Sequence, residues 1–184
     1  MRLLWVLLWL LSLSHLGVAQ TRLPLEAASQ RITFTEVVPA DSFQRSELYT
    51  QTVQWLYDTY KSPHQALDIL VHKRETGTLA IRGSFIPTIR QGRIMTTGRL
   101  LRYTLRLDLQ EGYYTYTLTD YQLENPGAGT PLPLESLLYS SKGRKTQTAL
   151  RQQYEQQVIT HAQQLSESLK RQLSKRPDGE VGPW

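Results

Sequence analysis

Residues 101–123, LRYTLRLDLQEGYYTYTLTDYQL, decide the fold. Apolar and polar side chains alternate on both sides of Glu111-Gly112, which predicts two antiparallel strands joined by a two-residue turn. The register sets Leu109 opposite Tyr114, Leu107 opposite Tyr116 and Leu105 opposite Leu118 on one face. The other face carries Arg102 opposite Tyr121, Thr104 opposite Thr119, Arg106 opposite Thr117 and Asp108 opposite Thr115. One face therefore demands a core, and the other meets water or a polar partner. Glu111 is a weaker first turn residue than Asn or Asp, because a turn of this kind asks for positive φ there.

Working outward, Ala66–Lys73 and Thr78–Phe85 read as a second hairpin around Glu75-Thr76-Gly77, with Val71 opposite Ile81 and Ile69 opposite Gly83. Leu67, Ile69, Val71, Leu79 and Ile81 then share the buried face, while Ala80, Arg82 and Ser84 point the other way. Gly83 inside a strand predicts a bulge or bend. Upstream, Arg31–Val38 is a strand that Pro39 stops. A helix from Glu47 to about Tyr60, capped by Ser46, follows from Tyr49, Val53, Leu56 and Tyr60 at helical spacing, with Leu48, Thr52 and Trp55 widening the stripe. Ile86–Gly98 reads as a connection, Asn125–Pro133 as a loop and Leu134–Tyr139 as a short helical turn. A last helix runs from near Thr146 to Leu173 with a narrow stripe of Leu150, Tyr154, Val158, Ala162, Leu165, Leu169 and Leu173. At roughly 40 Å it is long enough to lie across the whole sheet. So narrow a stripe also suits a coiled-coil seam, which keeps a homodimer through this helix open. The class is α+β, with one curved antiparallel sheet carrying its helices on the apolar face.

The N-terminus has Arg2, an apolar run from Leu3 to Leu13, and Gly17-Val18-Ala19 before Gln20. This is the pattern of a secretory signal peptide over residues 1–19, cleaved after Ala19. The run falls short of the roughly 20 apolar residues of a spanning helix. The expected location is the periplasm or the extracellular space. No cysteine occurs, which excludes a thiol nucleophile, a disulfide framework and a thiolate metal site. Residues 20–141 are expected to form the sheet domain, 142–173 a long basic helix packed on it, and 174–184 a disordered tail. That basic segment, extended to Arg176, holds Lys142, Arg144, Lys145, Arg151, Lys170, Arg171, Lys175 and Arg176 against Glu155 and Glu167.

Charge is also uneven within the sheet. Between Glu75 and Asp108 there is no acidic residue, yet Arg82, Arg90, Arg93, Arg99, Arg102 and Arg106 all fall there. The plain explanation is a solvated sheet face covered by long amphipathic side chains. The functional one is an anion- or protein-binding face built from Arg82, Arg102, Arg106 and Tyr121. His64, His72 and His161 each stand alone in sequence, with His72 pointing outward from its strand. Neither a His-Glu-x-x-His run nor a Gly-x-Ser-x-Gly elbow is present. Asp68, Asp108 and Asp120 are the notable strand acids, and Asp120 is placed opposite Tyr103 on the apolar side in a structural role. No catalytic, cofactor or metal set is expected, and an enzyme is the least supported class.

Strand, helix, four strands and helix is the element order of the TBP-like and helix-grip folds. Leu23-Pro24, the run Ile32-Thr33-Phe34-Thr35-Glu36-Val37-Val38, then Ser46-Glu47-Leu48-Tyr49, Trp55-Leu56, Gly77 and Arg82-Gly83-Ser84 resemble the exported bacterial family called domain of unknown function 4468. The resemblance covers about Thr21 to Leu123 and implies a TBP-like fold. It brings no activity, cofactor or catalytic residue. Two functions remain as expectations: a non-enzymatic envelope binding module using the open sheet face or the basic helix, or a carrier of an apolar small molecule between sheet and last helix. A large cavity lined by Leu105, Leu107, Tyr116, Leu118, Leu165 and Leu169 distinguishes the carrier. Nucleic acid is a fold-level analogy that export argues against.

Overall fold

A computed structural model describes residues 23–60, 68–125, 127, 129–139 and 145–175. The expected signal segment with its cleavage after Ala19, Lys61-Ser62-Pro63, His64, Leu67, Lys142, Arg144 and the tail from Arg176 lie outside the described residues. The elements are β1 (Phe34–Pro39), α1 (Arg45–Thr59), β2 (Asp68–Lys73), β3 (Thr78–Phe85), β4 (Thr88–Gln91), β5 (Ile94–Thr97), β6 (Leu101–Gln110), β7 (Tyr113–Leu123), β8 (Leu132–Pro133), α2 (Leu134–Leu138) and α3 (Lys145–Leu173). The main sheet is antiparallel in the order β1-β7-β6-β3-β2, and β8 extends β7. The expected β-α-β4-α order is present, with β4 and β5 forming a separate hairpin inserted between β3 and β6.

The β6–β7 hairpin forms because its alternation is strict and its turn is closed by Gly112, at φ 78°. Gly112 alone takes positive φ in this turn, so Glu111 is spared the left-handed conformation expected of it. Its carboxylate is then free to accept from the Arg45 N–H at 3.2 Å, at the start of α1. An acidic group there satisfies an orphan donor and favours the positive helix pole. The helix begins earlier than Ser46: its cap is Gln44, whose N–H donates to the Glu47 carboxylate at 2.8 Å. Ser46 lies inside the first turn instead, where its carbonyl accepts from Thr50.

Leu105, Leu107, Leu109, Tyr114, Tyr116 and Leu118 on the apolar face meet Leu48, Trp55 and Leu56 of α1 and the α3 stripe from Tyr154 to Leu173 in one buried cluster. Burying side chains of this size contributes roughly 1.5–3 kcal/mol each. The α3 stripe is consumed within its own chain, which removes the reason to expect a coiled-coil seam. Ile159, absent from the expected stripe, joins it at 4% exposure. The Trp55 indole N–H donates to Ser168 Oγ at 3.1 Å, tying α1 to α3.

Three parts differ from the sequence reading. First, β7 carries one residue more than β6 between the pairs Thr104↔Thr119 and Arg102↔Gln122. Asp120 takes this bulge in the left-handed region, at φ 54°, which Asp tolerates better than most residues. The side chains beyond it exchange faces. Asp120 swings out to pair with Arg31, and Tyr121 turns into the core at 1% exposure. Second, the β2–β3 loop is four residues long, so Lys73 faces Thr78, and a bulge at Leu70 brings Ile69 opposite Ile81. His72 therefore faces α1, its ring 5.6 Å from that of Tyr49, and Val71 pairs with Ala80 on the open side. On this edge strand Ile69 remains 49% exposed rather than buried. Third, Gly83 makes no bulge against β6. It pairs with Tyr103, whose ring lies across it where a Cβ would otherwise stand.

Candidate functional site

The expected anion-binding face does not assemble as read. Arg82, Arg102 and Arg106 do project from the open side of the sheet, but each meets a carboxylate: Asp68 at 3.3 Å, Glu124 at 3.4 Å and Asp108 at 2.7 Å. The Arg106 guanidinium holds the Asp108 carboxyl below its ordinary range, and Asp108 in turn raises Arg106. Exposed pairs of this kind contribute about 0–1 kcal/mol, yet they cancel the positive field an anion would feel. Tyr121, the fourth member, is withdrawn beneath the sheet by the Asp120 bulge and packs edge-on to Phe34 at 6.2 Å. Threonines occupy the positions between, with Thr35 and Thr117 hydroxyls 2.5 Å apart and Thr33 and Thr119 at 3.1 Å. Arg99 is structural: its guanidinium donates to the Glu124 carbonyl, with the Nε contact at 2.6 Å.

The six side chains proposed to line a carrier cavity, Leu105, Leu107, Tyr116, Leu118, Leu165 and Leu169, are all buried in the packed core. Tyr116 also reaches a cleft, which lies at the sheet edge. It opens between β1 and α3, has a volume of about 410 Å³, and is lined by Pro24 and Thr33 ahead of the strand, by Phe34, Thr35 and Glu36 on it, and by Ile159, Ala162, Gln163, Ser166, Glu167 and Lys170 on the helix. Its size is within the range of natural ligand sites.

Strand β1 supplies one wall and an open backbone edge. Ala40 N–H donates to Gly112 O at 2.8 Å at the end of the β1–β7 ladder. Hydrogen bonding alternates along an antiparallel pair, so Val38, Glu36 and Phe34 turn their backbone groups to β7. Thr35, Val37 and Pro39 turn theirs outward. Pro39 fits this count, since a proline is tolerated in a strand where its missing N–H faces the free edge. The preceding outward donor, Thr33 N–H, is already taken by Pro24 O at 3.0 Å. Among the described residues no backbone partner takes the N–H of Thr35 or Val37.

The cleft floor is a neutralised polar cluster. Lys170 Nζ lies 2.6 Å from both carboxylate oxygens of Glu36, and the Tyr116 hydroxyl donates to Glu36 Oε2 at 2.5 Å. Burial raises the Glu36 carboxyl, but Lys170 and Tyr116 together outweigh it and hold the group below its ordinary value. Burial, reinforced by the bond to Glu36, pushes the Tyr116 phenol up to about 12. The cluster thus offers fixed dipoles and short polar side chains rather than a net charge. The sequence hinted at it only in that Glu36 and Tyr116 are polar groups on the apolar face; pairing them with Lys170 needs the packing of α3.

A second feature is the β4–β5 hairpin, in the stretch whose sequence predicts a plain connection. Its turn is Gly92-Arg93, with Gly92 at φ 63°, a Gly-first closure suited to two-residue loops. The Gln153 side-chain amide reads the Arg90 backbone as a strand would, accepting from its N–H at 2.5 Å and donating to its carbonyl at 3.1 Å. Gln157 accepts from Thr88 N–H at 3.4 Å. Two of the glutamines of α3 thus serve as docking groups for β4.

Among the described residues, no three His, Asp or Glu side chains converge as metal ligands. No described helix is long and apolar enough to cross a membrane.

Residues 34–124 match the family described as "Domain of unknown function (DUF4468) with TBP-like fold". A crystal structure of a DUF4468 family protein from Bacteroides ovatus ATCC 8483 is similar with a TM-score of 0.66 at 10% identity, over 87% of this chain and 96% of that one. A TBP-like protein from Parabacteroides distasonis ATCC 8503 gives 0.61 at 12% identity, over 84% and 98%. Identities this low show the shared fold. No curated protein matches the chain.

Proposed function

Residues 34–124 belong to the DUF4468 family with its TBP-like fold, and from that premise we propose that the protein is a non-enzymatic binding module whose β1–α3 cleft takes an extended segment of a partner protein. The observation that carries this reading is the outer edge of β1, where the Thr35 and Val37 backbone groups turn outward without a backbone partner among the described residues, beside a cleft walled by a helix. An extended peptide added to such an edge gains main-chain hydrogen bonds, while alternate side chains enter the groove for specificity. Ile159, Ala162 and Phe34 offer apolar contact there; Gln163, Ser166 and Glu167 offer hydrogen bonds. Lys170 is engaged with Glu36 and the Tyr116 phenol is held protonated, which disfavours acid–base chemistry at the cleft. The filled core disfavours the apolar carrier. The proposal includes export to the periplasm or beyond, with removal of residues 1–19 after Ala19; Arg2, the apolar run from Leu3 to Leu13 and Gly17-Val18-Ala19 support it.

Selection of displayed random peptides on the chain beginning at Gln20 tests this, followed by binding of the selected sequences to Val37→Pro and Ser166→Trp variants. Proline at 37 removes an outward N–H without touching the β7 ladder. Both variants are expected to bind at least about tenfold more weakly, the loss of roughly one well-made hydrogen bond or of the groove space. Selected peptides that bind Val37→Pro as they bind the wild type contradict the reading.

A further inference from the structure

Ile94 and Met95, on β5, are 67% and 60% exposed, and Ile86 at the base of the hairpin is 45% exposed. Cross-strand pairing places Met95 opposite Arg90 and Ile94 opposite Gln91. Successive side chains alternate between faces, so Met95 with Arg90 occupies one face of the ribbon and Ile94 with Gln91 the other. Ile89 shares a face with Ile94 and is buried at 2%. The base of the hairpin is thus packed against the body, while its tip is apolar on both faces.

The tip is also purely cationic. No acidic residue occurs between Glu75 and Asp108. Arg93 sits in the turn and makes no ion pair with a described residue, and Arg90 spends only its Nε, on the Gly92 carbonyl at 3.1 Å. The α3 side chains that hold β4, Gln153 and Gln157, are neutral. Among the described residues no carboxylate pairs with Arg90 or Arg93, whereas each arginine of the open sheet face has one.

We propose that the β4–β5 tip inserts into the surface of an anionic bilayer, with Ile94 and Met95 entering the acyl boundary and Arg90 and Arg93 at the lipid phosphates. A flat protein partner covers one face of a ribbon; a fluid interface envelops both. Apolar insertion joined to electrostatic attraction is the general basis of peripheral membrane binding. The proposed contact is peripheral, made by the tip of one hairpin.

Co-sedimentation with vesicles tests this, using the chain from Gln20, which keeps every described element and lacks the apolar N-terminal run. The protein is expected to pellet with vesicles of mixed phosphatidylglycerol and phosphatidylcholine, to stay in solution with phosphatidylcholine alone, and to be released as salt is raised. Arg90→Gln and Arg93→Gln each lower partitioning by about fivefold, and the double variant Ile94→Ser/Met95→Ser lowers it by more than about tenfold. All four positions are exposed, so unchanged far-UV circular dichroism confirms that the fold is intact. Equal pelleting with neutral and anionic vesicles, or full binding by the Ile94→Ser/Met95→Ser variant, overturns the proposal. So does self-association without lipid that this variant abolishes, which assigns the tip to a second copy.

Discussion

Gly83→Ala tests whether the sheet depends on the close approach of Tyr103. An ideal Cβ at Gly83 stands 2.5 Å from both Cζ and the hydroxyl of Tyr103 and 2.9 Å from Cε2. The ring must move, and it is held from several sides. Its hydroxyl is 2.7 Å from that of Tyr60, and its centroid lies 5.9 Å from Tyr121 and 4.8 Å from His161. Overpacking of this kind costs about 1–3 kcal/mol, and loss of a buried hydroxyl bond about 1 kcal/mol more. Against this, alanine is better than glycine in a strand by about 0.5–1 kcal/mol. The net is about 2 kcal/mol, a fall in Tm of about 4–8 °C for a domain of this size. Thermal and urea unfolding followed by circular dichroism measure it, in wild-type and Tyr103→Leu backgrounds. Leucine lacks the Cζ and hydroxyl atoms that the new methyl meets, so Gly83→Ala should be nearly neutral there. Equal losses in both backgrounds would refute the argument.

Further expectations follow from other contacts. Burial between α3 and the rings of Phe85 and Tyr103 lowers the His161 pKa to about 4. The unfolded chain therefore binds a proton that the folded one refuses between about pH 6.5 and 4, so stability falls as pH drops through that window, by about 3 kcal/mol in all. Urea midpoints at pH 7 and pH 4.5 should show this slope, and His161→Leu should flatten it. Deleting Asp120 removes the bulge residue while leaving Tyr121 opposite Tyr103; only the exposed Arg31 ion pair is lost, about 1 kcal/mol by thermal unfolding. Deleting Thr117, inside the regular ladder, reverses the faces beyond it and should abolish cooperative unfolding. Gln153→Ala removes one of the two glutamines that dock β4 on α3, and the Arg90 amide, now without its acceptor, should exchange at least about tenfold faster while the core amides are unchanged.

The sequence was most legible where one face was buried and the period unbroken. Leu105, Leu107 and Leu109 found their partners as read, because a slip of one residue would have put every leucine in water. The same logic recovered the α3 stripe. It failed at Asp120, where a single residue in the left-handed region exchanges the faces of everything beyond it and alternation leaves no trace of the choice. Alternation alone puts Tyr121 on the open face on which the expected site depends. The β2–β3 register failed for a related reason: loop length and the bulge at Leu70 are settled by packing against α1 and not by the local pattern. The β4–β5 hairpin was missed because its strands are four residues each and its docking groups, Gln153 and Gln157, lie far away in sequence. Gly92 followed by a polar residue, with Ile89 before it and Ile94-Met95 after it, is the available signal. The cleft itself is a tertiary feature, since Glu36 and Lys170 meet only once α3 crosses the edge of the sheet.

The central claim is that the edge of β1, without a backbone partner among the described residues, is completed by a partner segment. Amide hydrogen exchange at Thr35 and Val37, residue by residue with and without a saturating selected peptide, measures this most directly. The account predicts fast exchange at both amides in the free protein, beside protected Phe34, Glu36 and Val38, and strong protection of both on binding. Protection of Thr35 and Val37 already in the free protein, or no change at saturation, would contradict it.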